Sequence, residues 1–224
     1  MYALLIDVVS NRSIVLIWSE KNNKLIGENI FLTENNSSEI IISQIEKVLK
    51  DHGIEYRDLS KIITVVGPGN YTSIRVGIAA AKGIGLASNI PTFGITQHEL
   101  IAKSYKRNQN YDLIILVHAK NEDFYYQKFN NGMNLCDEIK ILHFDDILDK
   151  ITEKNCLVIE TENAFVKLLL KNNKNLKNLV SNYHVSGVSM EIIFANIDKN
   201  TNKNIPKYIK SPNAKIHKKE KIYK

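Results

Sequence analysis

The sequence predicts an α/β chain of two lobes, each a mixed sheet flanked by helices. Three β-rich runs, Tyr2 to Ile6, Ile14 to Trp18 and Lys24 to Phe31, are separated by Asn, Ser and Lys turns and read as an antiparallel meander. A helix, strand, helix, strand alternation follows as far as Ile95. A second series of strand-like runs begins near Tyr111, which places the lobes at 1–108 and 109–224.

Within the first lobe, Ser37 to Lys50 carries Ile41, Ile45, Val48 and Leu49 at helical spacing, with Gly53 past its end. The apolar run Ile62 to Val66 then meets the turn Gly67-Pro68-Gly69, and a segment without proline continues to Ser88. That order is strand, glycine turn, helix. Thr92 to Ile95 supplies the last strand of the lobe. Thr96 as N-cap with Glu99 three residues on makes a capping box for a helix to about Tyr105.

The second lobe opens with Leu113 to Val117, a strand of the buried type, and Asp123 to Phe129, with Asn130, Asn131 and Gly132 marking the turn after it. Cys156 to Ile159 reads as a strand and Asn163 to Leu170 as a helix. Ser186 to Asp198 reads as a helix presenting Val188, Ile192 and Ala195 to a core.

The long glycine helix carries two stripes of small residues. Gly77, Ala81 and Gly85 recur every four residues, as do Ala79, Gly83 and Ala87. A glycine inside a helix costs about 1 kcal/mol against alanine, so three of them imply a return, and close approach of another backbone is the obvious one. The turn before the helix offers a second reading. Backbone N–H groups at the positive end of a helix can hold a phosphate, although neither a Walker A loop nor GxGxxG is present.

The run Gly67-Pro68-Gly69-Asn70-Tyr71-Thr72-Ser73-Ile74-Arg75-Val76-Gly77 resembles the GPGSFTGLRVG signature of the TsaB (YeaZ) family, and AAAKGIGLASNIPTFGIT continues the likeness. Asn70, Tyr71 and Ser73 replace Ser, Phe and Gly of that signature. The resemblance implies an actin-like (ASKHA) fold built from ribonuclease-H-like lobes. It also implies a non-catalytic, cytoplasmic subunit that supports a TsaD-type transferase in making threonylcarbamoyladenosine in tRNA, with a TsaE-type ATPase in the assembly and ATP and a metal on the partner subunits. On that reading Gly77, Ala80, Ala81 and Gly85, with Ile41 and Ile45 of the amphipathic helix, form the partner interface, and a smooth face can also pair with its own copy.

Asp7 ends the first strand, where relatives in the wider superfamily carry a carboxylate beside phosphates. With Gly67 and Gly69 it is the candidate phosphate contact. The family's Asp-Thr-Ser is here Asp7-Val8-Val9-Ser10, so two hydroxyls are missing and a strand-end cap is the competing reading. The TsaD metal pair falls on Gln97 and Ile101, neither a plausible ligand, and Ile101 cannot be one. His118 to Tyr125 resembles the family stretch Asp-Ala-Arg-x-x-Glu-Val-Tyr, with His118, Lys120 and Asp123 replacing Asp, Arg and Glu, and reads as a hairpin. No nucleophile elbow GxSxG is present.

Composition bounds the rest. Apolar residues make up 44% of 224, enough for a sizeable core. Asp7 interrupts the first apolar run, so no secretory signal is expected. Cys136 and Cys156 lack metal or disulfide spacing and read as reduced thiols. Lys203 to Lys224 holds eight Lys and one Glu, a charge of +7 against +6 for the whole chain. This tail resembles the family's Pro-x-Tyr-x-Arg ending at Pro206, Tyr208 and Lys210. Lys210, Lys218 and Lys219 are the candidates for RNA contact, against a merely solvated basic terminus.

Overall fold

The computed structural model describes residues 1–9, 12–32, 37–105, 111–132, 134–151, 156–185, 191–195, 197 and 203–209. Two five-stranded mixed sheets form its frame. The first has the order β3-β2-β1-β4-β5, with β1 Tyr2–Asp7, β2 Arg12–Ser19, β3 Lys24–Leu32, β4 Leu59–Val65 and β5 Thr92–Ile95. The meander pairs antiparallel, and β4 joins β1 in parallel, as does β5 with β4. The connection from β3 to β4 carries α1 Ser37–Asp51 and a short 3-10 helix, Tyr56–Asp58, and that from β4 to β5 carries α2 Tyr71–Ser88.

The second sheet has the order β10-β9-β6-β7-β8, formed by β6 Asp112–Lys120, β7 Asp123–Phe129, β8 Lys140–His143, β9 Cys156–Glu160 and the two-residue β10 Leu179–Val180. Helices α4 Phe144–Ile151 and α5 Ala164–Lys171 belong to this lobe, while α3 Gln97–Ser104 and α6 Glu191–Ala195 pack together. The strand β8 and the helix α4 have no counterpart among the sequence expectations.

Alternation along each strand assigns its side chains to layers. Leu4 and Ile6 of β1, with Val8 just past its end, join Ile41, Ile45, Val48 and Ala81 in a core under α1 and α2. Leu5 points the other way, with Leu16, Ile63 and Ile95, into a core that also takes Leu113, Ile115 and Ile159 from the second sheet. A third core lies between the far face of that sheet and Phe144, Ile147, Phe165 and Leu169. Each fully buried Leu or Ile contributes about 1.5–3 kcal/mol, so the shared middle core ties the lobes together.

Caps end the helices where the sequence indicates. Asn70 Oδ1 accepts from the N–H groups of Thr72 (3.0 Å) and Ser73 (3.1 Å), and Asn89 closes α2 in the left-handed region at φ 53°. The capping box is present: Glu99 N–H donates to Thr96 Oγ1 at 3.1 Å and Thr96 N–H to Glu99 Oε2 at 2.9 Å.

In α6, Ala195 departs from its expected place. Ile193 and Phe194 are buried and Ala195 is exposed, while Val188 and the side chain of Ile192 lie outside what the structure describes. The Phe194 ring stacks on Trp18 at 5.6 Å, and Lys61 Nζ donates to the Phe194 carbonyl at 2.8 Å. Residues 203–209 also return to the first lobe, although the sequence reading placed this part of the tail in the second. Lys207 N–H donates to the Val66 carbonyl at 2.8 Å.

Candidate functional site

Helix α2 packs Gly77, Ala81 and Gly85 onto its own sheet. A Cβ at Gly77 would stand 2.9 Å from Val8 Cγ2, and one at Gly85 would stand 2.5 Å from Thr92 Cγ2. Ala81 is 0% exposed, and Ile41 and Ile45 are buried beside it in the same core. Ala80 is partly buried against that core. The expected interface is therefore corrected: these glycines are needed for close approach of the helix to β1, β4 and β5, so five of the six residues are spent inside the chain.

The second stripe remains open. Ala79, Gly83 and Ala87 are exposed, and a Cβ at Gly83 would meet nothing within 4 Å. Leu86, beside this stripe, is 88% exposed, and Ile42 on α1 is 41% exposed. The solvent side of α2 thus carries apolar groups that the fold does not use. The period of four is the same in both stripes, and what separates them is their neighbours: Ile74 and Ile78 extend the buried one, while the exposed Arg75 and Lys82 flank the other.

The glycine turn is filled by the chain itself. Asn70 takes two N–H groups of the first helical turn through its side chain, and its carbonyl accepts the N–H of Ile74 at 3.0 Å. A Cβ at Gly69 would lie 2.4 Å from Val9 Cγ1, and one at Gly67 2.8 Å from the Lys207 carbonyl oxygen. Asp7 is buried, and its Oδ1 accepts the N–H of Val9 at 2.9 Å, which is a strand-end turn. Asp7 and Gly69 line neighbouring parts of the cleft between the lobes, while the N–H groups of Thr72 and Ser73 at the helix start serve internal contacts.

Sequence reasoning missed what closes this loop. Arg75 Nε donates to Tyr208 Oη at 3.0 Å, and its guanidinium lies 4.2 Å from the centre of the Tyr71 ring while also donating to Tyr71 Oη at 2.8 Å. The rings of Tyr71 and Tyr208 stack at 4.1 Å. Tyr208 and Arg75 belong to the two stretches that carry the family resemblance, which was the available signal. Lys210, Lys218 and Lys219 lie outside the described residues.

A cleft opens between the lobes. One part, of about 250 Å³, is lined by Asp7, Arg12, Gln97, Glu162, Lys167 and His184 among others, and a neighbouring cavity of about 310 Å³ by Gly69, Asn70 and His118. His118 has its Nε2 2.9 Å from the Asn121 carbonyl and its Nδ1 3.8 Å from Glu162 Oε2. Asn121 turns the β6–β7 hairpin at φ 56°, so the His118 stretch is the hairpin that the sequence indicates.

Two buried titratable groups lie near this cleft. His98 donates Nε2–H to the Tyr125 carbonyl at 3.0 Å, and burial pulls its pKa down to about 4. Glu160 accepts N–H groups of Phe165 and Val166 at the start of α5, and burial pushes its carboxyl up to about 7. Among the described residues, no three His, Cys, Asp or Glu side chains are placed to hold a metal ion, and no helix is long and apolar enough to cross a membrane.

The family model described as TsaD, tRNA N6-adenosine threonylcarbamoyltransferase, matches residues 31–219. The tRNA threonylcarbamoyladenosine biosynthesis protein TsaB of Buchnera aphidicola from Schizaphis graminum is 30% identical over 154 residues, which is 61% of this chain and 73% of that protein. Its counterpart from Acyrthosiphon pisum is 27% identical over 176 residues, 78% of this chain and 69% of that protein. The solved structure of a Pseudomonas aeruginosa protein with similarity to peptidase YeaZ superposes with a TM-score of 0.73 at 14% identity, covering 93% of this chain and 99% of that one. That likeness establishes the actin-like fold, and with the sequence matches it leads to one conclusion: the chain belongs to the TsaB (YeaZ) family.

Proposed function

We propose that the chain takes part in tRNA threonylcarbamoyladenosine biosynthesis as a non-catalytic subunit that docks on a TsaD-type transferase in the cytoplasm. The observation that carries this reading is the unused apolar side of α2: Ala79, Gly83, Leu86 and Ala87 in solvent, with Ile42 on the adjoining α1. Small residues there let a partner helix approach closely, and Leu86 is the natural anchor for a pocket on it.

The rest of the assembly follows from the family. A TsaE-type ATPase joins the pair, ATP and metal sit on the partners, and tRNA is met through them. The closed glycine turn supports this division of labour, because its helix-start N–H groups are engaged by Asn70. The same apolar stripe also suits an isologous homodimer.

The test is light scattering on size-exclusion fractions of this chain, alone and mixed with the TsaD-type protein of the same organism. A heterodimer peak is expected, and Leu86→Glu is expected to abolish it with an unchanged melting temperature. If no complex forms at micromolar concentration, with or without ATP and the ATPase, the docking role is wrong.

A further inference from the structure

We infer that the cleft between the lobes binds a small zwitterion of the α-amino-acid type, with its carboxylate between Arg12 and Lys167 and its ammonium on Glu162. This is independent of the docking surface on α2. Arg12 comes from the first lobe and Lys167 from the second, and both line the same cavity. Among the described residues, neither side chain has a hydrogen-bond or ion-pair partner. Two unpaired cations facing one cavity from opposite sides make a site for a compact anion.

The cavity holds two further unused groups. Thr161 Oγ1 and His184 Nε2 are buried atoms without a hydrogen-bond partner, and both residues line it. Buried polar atoms are normally satisfied, so orphaned ones in a polar cavity point to a ligand or ordered water. Burial, and then the neighbouring Arg12, lower the pKa of His184.

Charge and size narrow the ligand class. Asp7 and Glu162 line the same cavity as the two cations, so a polyanion such as a triphosphate meets repulsion beside attraction. A zwitterion meets both signs. Glu162 has His118 only at 3.8 Å, beyond hydrogen-bond reach, and its oxygens are available to an ammonium. The cavity, at about 250 Å³, lies below the range of roughly 300–1,000 Å³ typical of drug-sized ligands. An amino acid fits that scale better than a nucleotide. In the glycine turn beside it, Asn70 already accepts the helix-start N–H groups of Thr72 and Ser73.

The experiment is titration calorimetry on the full chain at neutral pH and low ionic strength. Each common α-amino acid is tried, together with ATP and magnesium, and any amino acid that binds is compared with its carboxylic acid lacking the amino group and its amine lacking the carboxylate. At least one amino acid is expected to bind at a single site with millimolar affinity or better, and both analogues to bind about tenfold more weakly or worse. Arg12→Gln and Lys167→Gln are each expected to weaken binding similarly with unchanged melting curves, since both residues are exposed. Glu162→Gln provides a third variant on the ammonium side. The inference is overturned if no amino acid binds, if either truncated analogue binds as well as the parent, if binding survives all three substitutions, or if ATP alone binds.

Discussion

The two stripes of α2 have nearly the same composition and opposite uses. Gly77, Ala81 and Gly85 are buried against β1, β4 and β5, where added methyl groups would collide, whereas Ala79, Gly83 and Ala87 stand in solvent. A small residue therefore has two distinct meanings on one helix. On the inner stripe it permits the chain's own sheet to come close, and on the outer stripe it leaves a smooth surface in solvent.

The sharpest way to break the contrast is Ala81→Glu. At a position with 0% exposure, an unpaired carboxylate has no partner, and a loss of about 4 kcal/mol or more is expected. Denaturant melts should find the variant largely unfolded. A folded Ala81→Glu protein that merely failed to bind a partner would restore the inner stripe as an interface.

Next in size is a background that any such melt must take into account. His98 has a folded pKa of about 4 against an ordinary 6.5, so between those values the unfolded chain binds the extra proton and stability rises with pH. Glu160 has a folded value of about 7 against 4.5, so there the folded chain holds the proton and stability falls as pH rises. The two contributions, roughly 3 kcal/mol each at full extent, oppose one another from pH 4.5 to 6.5. Glu160→Gln is expected to gain stability relative to the parent as pH increases across that window, and His98→Gln to lose it. Parallel curves for parent and variants would refute both assignments.

Gly85→Ala comes third, with a loss of about 1–3 kcal/mol from overpacking against Thr92 and the Ile90 carbonyl. The smallest effect has the reverse sign. Gly83→Ala, with nothing in its way, should stabilise the isolated chain by up to about 1 kcal/mol, read as a higher melting temperature. Should Gly83→Ala destabilise it, the outer stripe would be packed in solution.

Local signals in the sequence carried much of the fold. Thr92–Ile95, Asp123–Phe129 and the Thr96–Glu99 capping box fall where their residues place them, because strand alternation and capping are decided within a few residues. The choice between the stripes of α2 was missed because both have period four, and the signal lay in their neighbours, Ile74 and Ile78 against Arg75 and Lys82. Phe194, rather than the expected Ala195, faces the core because it finds Trp18 across the lobes, a contact no local window contains. The β8–α4 unit was missed for the same reason: four- and eight-residue elements owe their form to packing on β7.

For the site, the resemblance marked the right stretches while long-range contacts decided what they do. Gly67 and Gly69 look available for phosphate until Val9, Asn70 and Lys207 are placed around them. The cleft was invisible in sequence because Arg12 and Lys167 lie far apart along the chain and belong to no motif.

The pairing of Arg75 with Tyr208, across 133 residues, also sets an order of events during synthesis. Nascent chains fold from the N-terminus onward, so β4 and α2 exist while the second lobe is still being made. Through that interval Gly67 and Gly94 have the side chains of Ile74 and Val66 beside them but not the backbone of Lys203, Asn204 and Lys207 that covers them in the folded chain. The start of α2 is therefore finished by residues made after the second lobe, and a chain that stalls in that lobe presents the helix without its completed base.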